Sequence, residues 1–280
     1  VLHGHSYIMA LITDISVRKK QETEIKNLNN YLEAKVTERT QQLTEALNAE
    51  KELNELKTKF LSLVSHEFKT PLAGILTSAT LAGKYTKEEQ QEKREKHLKT
   101  IQAKVKYLNN IIDDFLSIER LQSGKVNYKF TSFPISKIFD EVIYDANMHL
   151  KDGQTIKYPK NVGDLIIEFD EKIIELTLTN LIHNAVKYSS EDSTVDIIVT
   201  KEDKQLQIAI KDEGIGIPEK EQKFIFDRYF RAENALTNQG TGIGLNIVKS
   251  HLENLGGTIS FFSKENTGST FTVTIPLVEK

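Results

Sequence analysis

EKIIELTLTNLIHNAVKYSS, Glu171 to Ser190, decides how the C-terminal half is read. Ile173, Leu176, Leu181 and Val186 form the apolar side of a helix. Asn180, Asn184 and Lys187 stand at i, i+4 and i+7 and therefore share another face. Two amides and an ammonium aligned this way can hold a polyphosphate and a hydrated Mg²⁺, a hard cation that keeps several waters and takes few protein oxygens. By itself such a face is more often simply solvated.

Two glycine-rich stretches follow it. DEGIGIP, Asp212 to Pro218, comes directly after the alternating run LQIAIK. A carboxylate at a strand end followed by two glycines lets a planar ligand approach the backbone, and Asp212 can accept a hydrogen bond from an exocyclic amine. QGTGIGLNIVK, Gln239 to Lys249, places glycines before a helix, where free amides and the helix dipole favour anions. Its spacing is neither the GxxxxGK[ST] phosphate loop nor a dinucleotide fingerprint. Between the two, Ala232–Gln239 has the polar composition of a lid, with Arg228 and Arg231 at its near edge.

Around this region the pattern alternates. Strands are predicted near Lys125–Phe133, Leu165–Phe169, Val195–Thr200, Leu206–Lys211, Thr258–Ser263 and Thr270–Ile275. Helices are predicted near Ile135–Leu150, Glu171–Tyr188, Glu219–Phe226 and Ile243–Leu255. This order favours an α+β sandwich over a doubly wound sheet.

The N-terminal half is different. From Lys20 to Val64 the pattern is helical without Gly or Pro, with Ile25, Leu28 and Leu32 at one end and Leu53, Leu56, Phe60 and Leu63 at the other. Between them the stripe shifts through Val36, Leu43 and Leu47, a stutter and a compensating stammer. A second long helix, Lys87 to Gln122, carries Leu98, Ile101, Val105, Leu108, Ile112 and Phe115 in strict 3-4 spacing. Joined near Gly83–Thr86, the two make a hairpin, and pairing two hairpins into a four-helix bundle would bury both stripes. A homodimer is expected. Before them, Tyr7 to Ile15 is apolar and β-branched and reads as one strand.

Composition narrows the options. The 280 residues carry 37 basic and 40 acidic side chains, a net charge of −3 without the basic excess of a nucleic-acid binder. There is no cysteine, which excludes disulfides and thiolate sites. No apolar run reaches the ~20 residues of a membrane helix, so no direct membrane contact is expected of this fragment. The expected location is cytoplasmic, although the parent chain could be anchored.

SHEFKTPL, Ser65 to Leu72, sets a histidine beside a glutamate and then introduces Pro71, which is expected to break or kink the helix. Taken in order, this stretch, the amide-rich helix, Asp-x-Gly-x-Gly, the paired aromatics Phe226 and Phe230 and the Gly-x-Gly-x-Gly helix start resemble the sensor histidine kinases of two-component systems. That family joins a phosphoacceptor hairpin to an ATP-binding domain of the histidine kinase, Hsp90, gyrase and MutL type. The resemblance covers residues 54–280, and ALITDISVRKKQETEIKNLN resembles the last strand and exit of a PAS sensor domain.

The resemblance implies four segments: 1–18 the end of a truncated PAS-like domain, 19–53 a coiled-coil signalling helix, 54–124 the dimerisation and phosphotransfer hairpin, and 125–280 the catalytic domain. It implies a phosphorylated His66, with Glu67 as its general base or orienting partner and Thr70 positioning water in dephosphorylation of a response regulator. Asn180 and Asn184 carry over as the Mg²⁺ region, Lys187 as a phosphate contact and Tyr188 as a wall of the adenine site. Asp212, Gly214 and Gly216 map to the adenine pocket, Arg231 to the lid, and Gly240, Thr241, Gly242, Gly244 and Leu245 to the lid and phosphate helix. ATP and Mg²⁺ are the implied cofactors, and a receiver domain on another chain the implied partner. The remaining histidines, including His183 and His251, read as structural or surface groups. An ATPase clamp of the same superfamily and a coiled-coil adaptor with a degenerate nucleotide fold are the alternatives.

Overall fold

The computed structural model describes residues 14–236, 238 and 240–277. Within its first helix the side chains of 49, 52, 53, 55–57, 59–61, 63 and 66 fall outside this description, His66 among them, as do those of the predicted stripe residues Leu53, Leu56, Phe60 and Leu63. The strand read at Tyr7–Ile15 also lies outside it, except for Asp14 and Ile15, which precede a helix beginning at Ser16. The chain divides after Leu61 into two compact units.

The first unit consists, as far as it is described, of α1, which runs Ser16–Lys84 and continues into the second. Ile25, Leu28, Leu32, Val36, Leu43 and Leu47 are all exposed in the single chain. Pro71 does not end this helix, contrary to the break expected from sequence. Proline removes the N–H that would pair with the Glu67 carbonyl, but it sits buried with long helical stretches on either side, and the helix continues to Lys84.

In the second unit a 3-10 turn at Glu88–Gln90 leads into α2, Gln91–Gln122. Then come β1 (Phe130–Pro134), α3 (Ile135–Asn147), β2 (Thr155–Lys157), β3 (Ile166–Asp170), α4 (Glu171–Tyr188), β4 (Thr194–Lys201) and β5 (Gln205–Lys211), followed by α5 (Gly244–Asn254), β6 (Thr258–Lys264) and β7 (Gly268–Pro276). Two departures from the sequence reading concern length. The strand expected over Lys125–Phe133 shrinks to β1, and the helix expected at Glu219–Phe226 is a 3-10 segment, Glu219–Phe224.

The main sheet has the order β2-β4-β5-β7-β6, antiparallel except for the β2–β4 pair, and β1 pairs with β3 separately. Alternation fixes which face is covered. Val195 and Ile197 of β4, Leu206, Ile208 and Ile210 of β5, and Val273 and Ile275 of β7 are buried, whereas Ile198 and Phe262 point to solvent. The buried face meets Ile138, Phe139 and Val142 of α3, Leu178, Leu181 and Ile182 of α4, and Val248 and Leu252 of α5 in one core. This is the α+β sandwich the pattern favoured, preceded by a helical hairpin.

Local chemistry sets the entry to α4. Asp170 caps it by accepting from the Ile173 N–H at 3.2 Å, and its other oxygen takes the Lys129 N–H at 2.6 Å. A smaller cluster, Ile118 of α2 with Ile243 and Ile247, packs with Phe115, Leu121, Leu176 and Tyr229, joining α2 to the start of α5. Two polar contacts reinforce this seam: Ser117 shares a hydrogen bond with His251 at 3.1 Å, and Thr241 donates to Asp114 at 3.2 Å. Lys106 of α2 separately meets Asp145 of α3 at 2.9 Å.

Candidate nucleotide site

A cavity of about 210 Å³ opens between α4, the DEGIGIP turn and the loop before α5. Its lining includes Asn180, Asn184, Lys187 and Tyr188 of α4, Asp212 and Gly216 of the turn, and Arg231, Gly240, Thr241, Gly242, Gly244 and Leu245 beyond it. Twelve of the residues singled out in the sequence thus converge from three separated stretches. Gly214 stands just behind the wall. Thr70 is exposed on α1, and Glu67 of the same helix is buried beside the cavity, its Oε1 4.0 Å from Nη1 of the lining residue Arg231.

Asp212 is buried at the end of β5. One of its carboxylate oxygens accepts from two backbone amides, Gly214 at 2.8 Å and Ser269 at 3.1 Å. Burial pushes its pKa above the ordinary carboxylate value, and the two amides oppose that by favouring the charged form. The second oxygen retains its full accepting capacity at the cavity wall, where an exocyclic amine could donate to it.

The turn is built for close approach. A Cβ on Gly214 would lie 2.7 Å from both the Asp212 carboxylate and the Tyr188 carbonyl. Gly216 has φ +61°, a left-handed conformation natural to glycine. Ser263 supports it from β6, its hydroxyl accepting from the Ile217 N–H at 2.9 Å.

At the other end of the cavity are the groups suited to phosphate. The Lys187 ammonium donates to the Tyr188 hydroxyl at 3.1 Å and lies 4.6 Å from its ring centre. A Cβ on Gly240 would come within 2.9 Å of that ammonium. Gly242 has φ +69° and accepts from the Tyr229 N–H at 3.0 Å. Tyr229 itself has φ +65°, rare for an aromatic residue. Arg231 donates to the carbonyls of Ala235, Leu236 and Asn238 and so organises the lid segment. Arg228 is instead engaged with Asn246 at 3.2 Å.

A hydrated Mg²⁺ fits this donor set. Asn180 spends its amide N–H on the Leu176 carbonyl at 3.0 Å, which keeps its oxygen for a cation, and Asn184 lines the cavity one turn on. Among the described residues no group of three or more His, Cys, Asp or Glu could hold a metal by itself. An ion here would therefore share its coordination with ligand phosphates, the usual Mg²⁺ arrangement.

The sequence reading missed several lining residues. Ser269 and Phe271 belong to β7, where ordinary strand alternation conceals them. Asp114 comes from α2, a helix read only for its apolar seam. Burial pushes its pKa up to about 6 despite the Thr241 hydroxyl. His251, assigned to structure or surface, is a buried bridge: its ring nitrogens contact Ser117 at 3.1 Å and Tyr128 at 3.0 Å.

Comparison with known proteins gives the class. Residues 56–124 match the His Kinase A (phospho-acceptor) domain, and residues 169–279 match the family described as Histidine kinase-, DNA gyrase B-, and HSP90-like ATPase. The chain therefore belongs with the histidine kinases and holds the core of an ATP-dependent histidine kinase. The signal transduction histidine-protein kinase BarA of Escherichia coli K12 is 34% identical over 232 residues, covering 77% of this chain and 24% of that protein. The circadian input-output histidine kinase CikA of Synechococcus elongatus is 30% identical over 90% of this chain and 34% of that one. The sensor histidine kinase WalK of Bacillus subtilis is 32% identical over 82% of this chain and 38% of that one. The chain thus spans well under half the length of these relatives. In fold, it resembles the Acinetobacter baumannii histidine kinase AdeS, with a TM-score of 0.57 at 20% identity over 76% of this chain and 98% of that one.

Proposed function

We propose that this chain phosphorylates itself on His66 from Mg-ATP and passes the phosphoryl group to an aspartate of a separate response regulator. On this reading, it also acts as that regulator's phosphatase. The observation that carries the reading is the cavity, which gathers Asp212, Asn184, Lys187 and the Gly240–Gly244 loop in the same unit as the SHEFKTPL stretch.

Asp212 would receive the adenine amine, with Tyr188 as a wall. Lys187, Arg231 and the loop amides would hold the phosphates. Asn180 and Asn184 would complete the coordination of Mg²⁺, which when bound screens the charge of the transferring group. A neutral imidazole is required for attack, and an unperturbed histidine with a pKa of about 6.5 is mostly neutral at pH 7. In the step, an N–P bond forms on His66, the bond from the γ-phosphorus to the bridging oxygen of ADP breaks, and Glu67 takes or holds the proton on the other ring nitrogen. Thr70 would position water for the reverse duty on the regulator.

The same reading divides the chain into 1–18, the end of a PAS-like domain; 19–53, a signalling coiled coil; 54–124, the dimerisation and phosphotransfer hairpin; and 125–280, the catalytic domain. A homodimer is supported by the exposed apolar residues Leu72 and Leu76 of α1 and Leu98, Val105 and Ile112 of α2. Among the described residues, no helix is long and apolar enough to cross a membrane, and we place the fragment in the cytoplasm.

The test is incubation with γ-labelled ATP and Mg²⁺, wild type beside His66→Gln. Acid-labile, base-stable label that vanishes in the variant is expected. Label that persists, or ATP hydrolysis without labelled protein, would overturn the assignment in favour of an ATPase clamp.

A further inference from the structure

We infer that Tyr107, on the second helix of the hairpin, is a positioning residue for Glu67. The inference rests on the reading of Glu67 as the acid–base partner of His66. Glu67 is only 7% exposed, so its carboxylate must be satisfied by protein. The Tyr107 hydroxyl, forty residues away on α2, donates to Oε2 of Glu67. The other oxygen, Oε1, faces the Nη1 of Arg231 at 4.0 Å.

These two contacts define a direction. A glutamate on a helix has three side-chain torsions, and general acid–base catalysis needs the carboxylate within hydrogen-bond reach of one particular ring nitrogen. With Oε2 tethered across the hairpin by a phenol, Oε1 is left on the side of Arg231, which also lines the nucleotide cavity. Tyr107 thus selects which oxygen of Glu67 is committed across the hairpin and fixes the side-chain torsions from which the carboxylate would meet the ring of His66. A phenol suits the task because it donates one hydrogen bond without neutralising the carboxylate. Arginine or lysine there would add a full charge and compete for the negative charge the base must keep.

The role differs from simple packing. Tyr107→Phe retains the ring and removes only the donor, so a structural role would leave turnover unchanged. A positioning role lowers kcat and spares KM for ATP, because the nucleotide contacts lie elsewhere.

The experiment measures initial rates of His66 labelling across a range of ATP concentrations for the 280-residue chain. Wild type, Tyr107→Phe, Glu67→Gln and the double variant are compared, each checked for an unchanged thermal transition. The expected result is a roughly tenfold fall in kcat for Tyr107→Phe with KM within about twofold, a fall of about a hundredfold for Glu67→Gln, and a double variant no slower than Glu67→Gln alone. Unchanged kcat in Tyr107→Phe overturns the inference. A double variant slower than Glu67→Gln by the full Tyr107→Phe factor also overturns it, since Tyr107 would then act independently of Glu67. If Glu67→Gln alone keeps wild-type kcat, the base assignment falls and the inference falls with it, an outcome separable from the first two.

Discussion

The Thr241 hydroxyl, in the loop that leads into α5, donates to the Asp114 carboxylate of α2 at 3.2 Å. A residue of the hairpin thereby stands in the wall of the nucleotide cavity, against the Gly240–Gly244 loop that would bind phosphate. The contact makes the hairpin and the cavity electrostatically interdependent.

Replacing Asp114 with Asn removes a negative charge from a site intended for anions. At pH 7.5 the affinity for ADP should rise about fivefold, close to the ~1 kcal/mol that one charge contributes across a few ångströms in a water-like dielectric. Adenosine, which lacks phosphates, should bind both proteins equally. Calorimetric titration of the two ligands separates this outcome from a general change in the pocket, which would move both.

The seam between α2 and α5 should respond to pH through two groups of opposite sign. The raised pKa of Asp114, about 6, means that the docked state holds a proton the undocked state releases. Its contribution to docking is therefore complete below the ordinary carboxylate value and is lost as pH rises through 6. Burial lowers the pKa of His251 while Asp170 opposes it, so its contribution is full above about 6.5 and declines as pH falls below that. Hydrogen exchange of residues 113–121 should show protection falling with rising pH in a His251→Gln background, and with falling pH in an Asp114→Asn background. Parallel profiles in the two variants would refute the assignment.

Gly214→Ala should be far more damaging than Gly163→Ala. A Cβ at 214 meets the Asp212 carboxylate and the Tyr188 carbonyl at 2.7 Å, whereas one at 163 meets nothing within 4 Å. A loss of about 1–3 kcal/mol is expected for the first, which lowers Tm by several degrees in a unit of this size. Nucleotide affinity should fall with it, because Asp212 must move. Equal transitions for the two variants would count against this packing.

Ile118→Ala should loosen the seam without unfolding the sandwich. Ile118 is 6% exposed and packs on Ile243 and Ile247, outside the main core. Truncating a buried isoleucine costs about 2–5 kcal/mol, and here the loss falls on docking. Faster exchange confined to 113–121 and 243–251 is expected, whereas Ile182→Ala, in the main core, should lower Tm globally.

Much of the site was legible because its chemistry follows local periodicity. Asn180, Asn184 and Lys187 share a face because a helix repeats every 3.6 residues, and DEGIGIP signals a turn by composition. Asp114 and Phe271 were not legible, because their place in the wall depends on how distant elements pack, which no window of sequence contains. The three residues of β2 were too few to show alternation. Pro71 misled in another way: the rule for proline describes an isolated helix interior, and here a buried ring and long flanking helix keep the element continuous.

Tyr229 is held at φ +65° while its ring packs against the seam and its N–H meets Gly242. An aromatic residue in that conformation carries about 1–3 kcal/mol of backbone strain, and both the Gly242 hydrogen bond and the packing at the seam help to hold it there. Tyr229 therefore behaves like a cocked spring with two catches, and separation of α2 from α5 would take away one of them. Tyr229→Gly would slacken the spring and remove the ring together, so whether docking strengthens or weakens in that variant reports which of the two forces governs the loop.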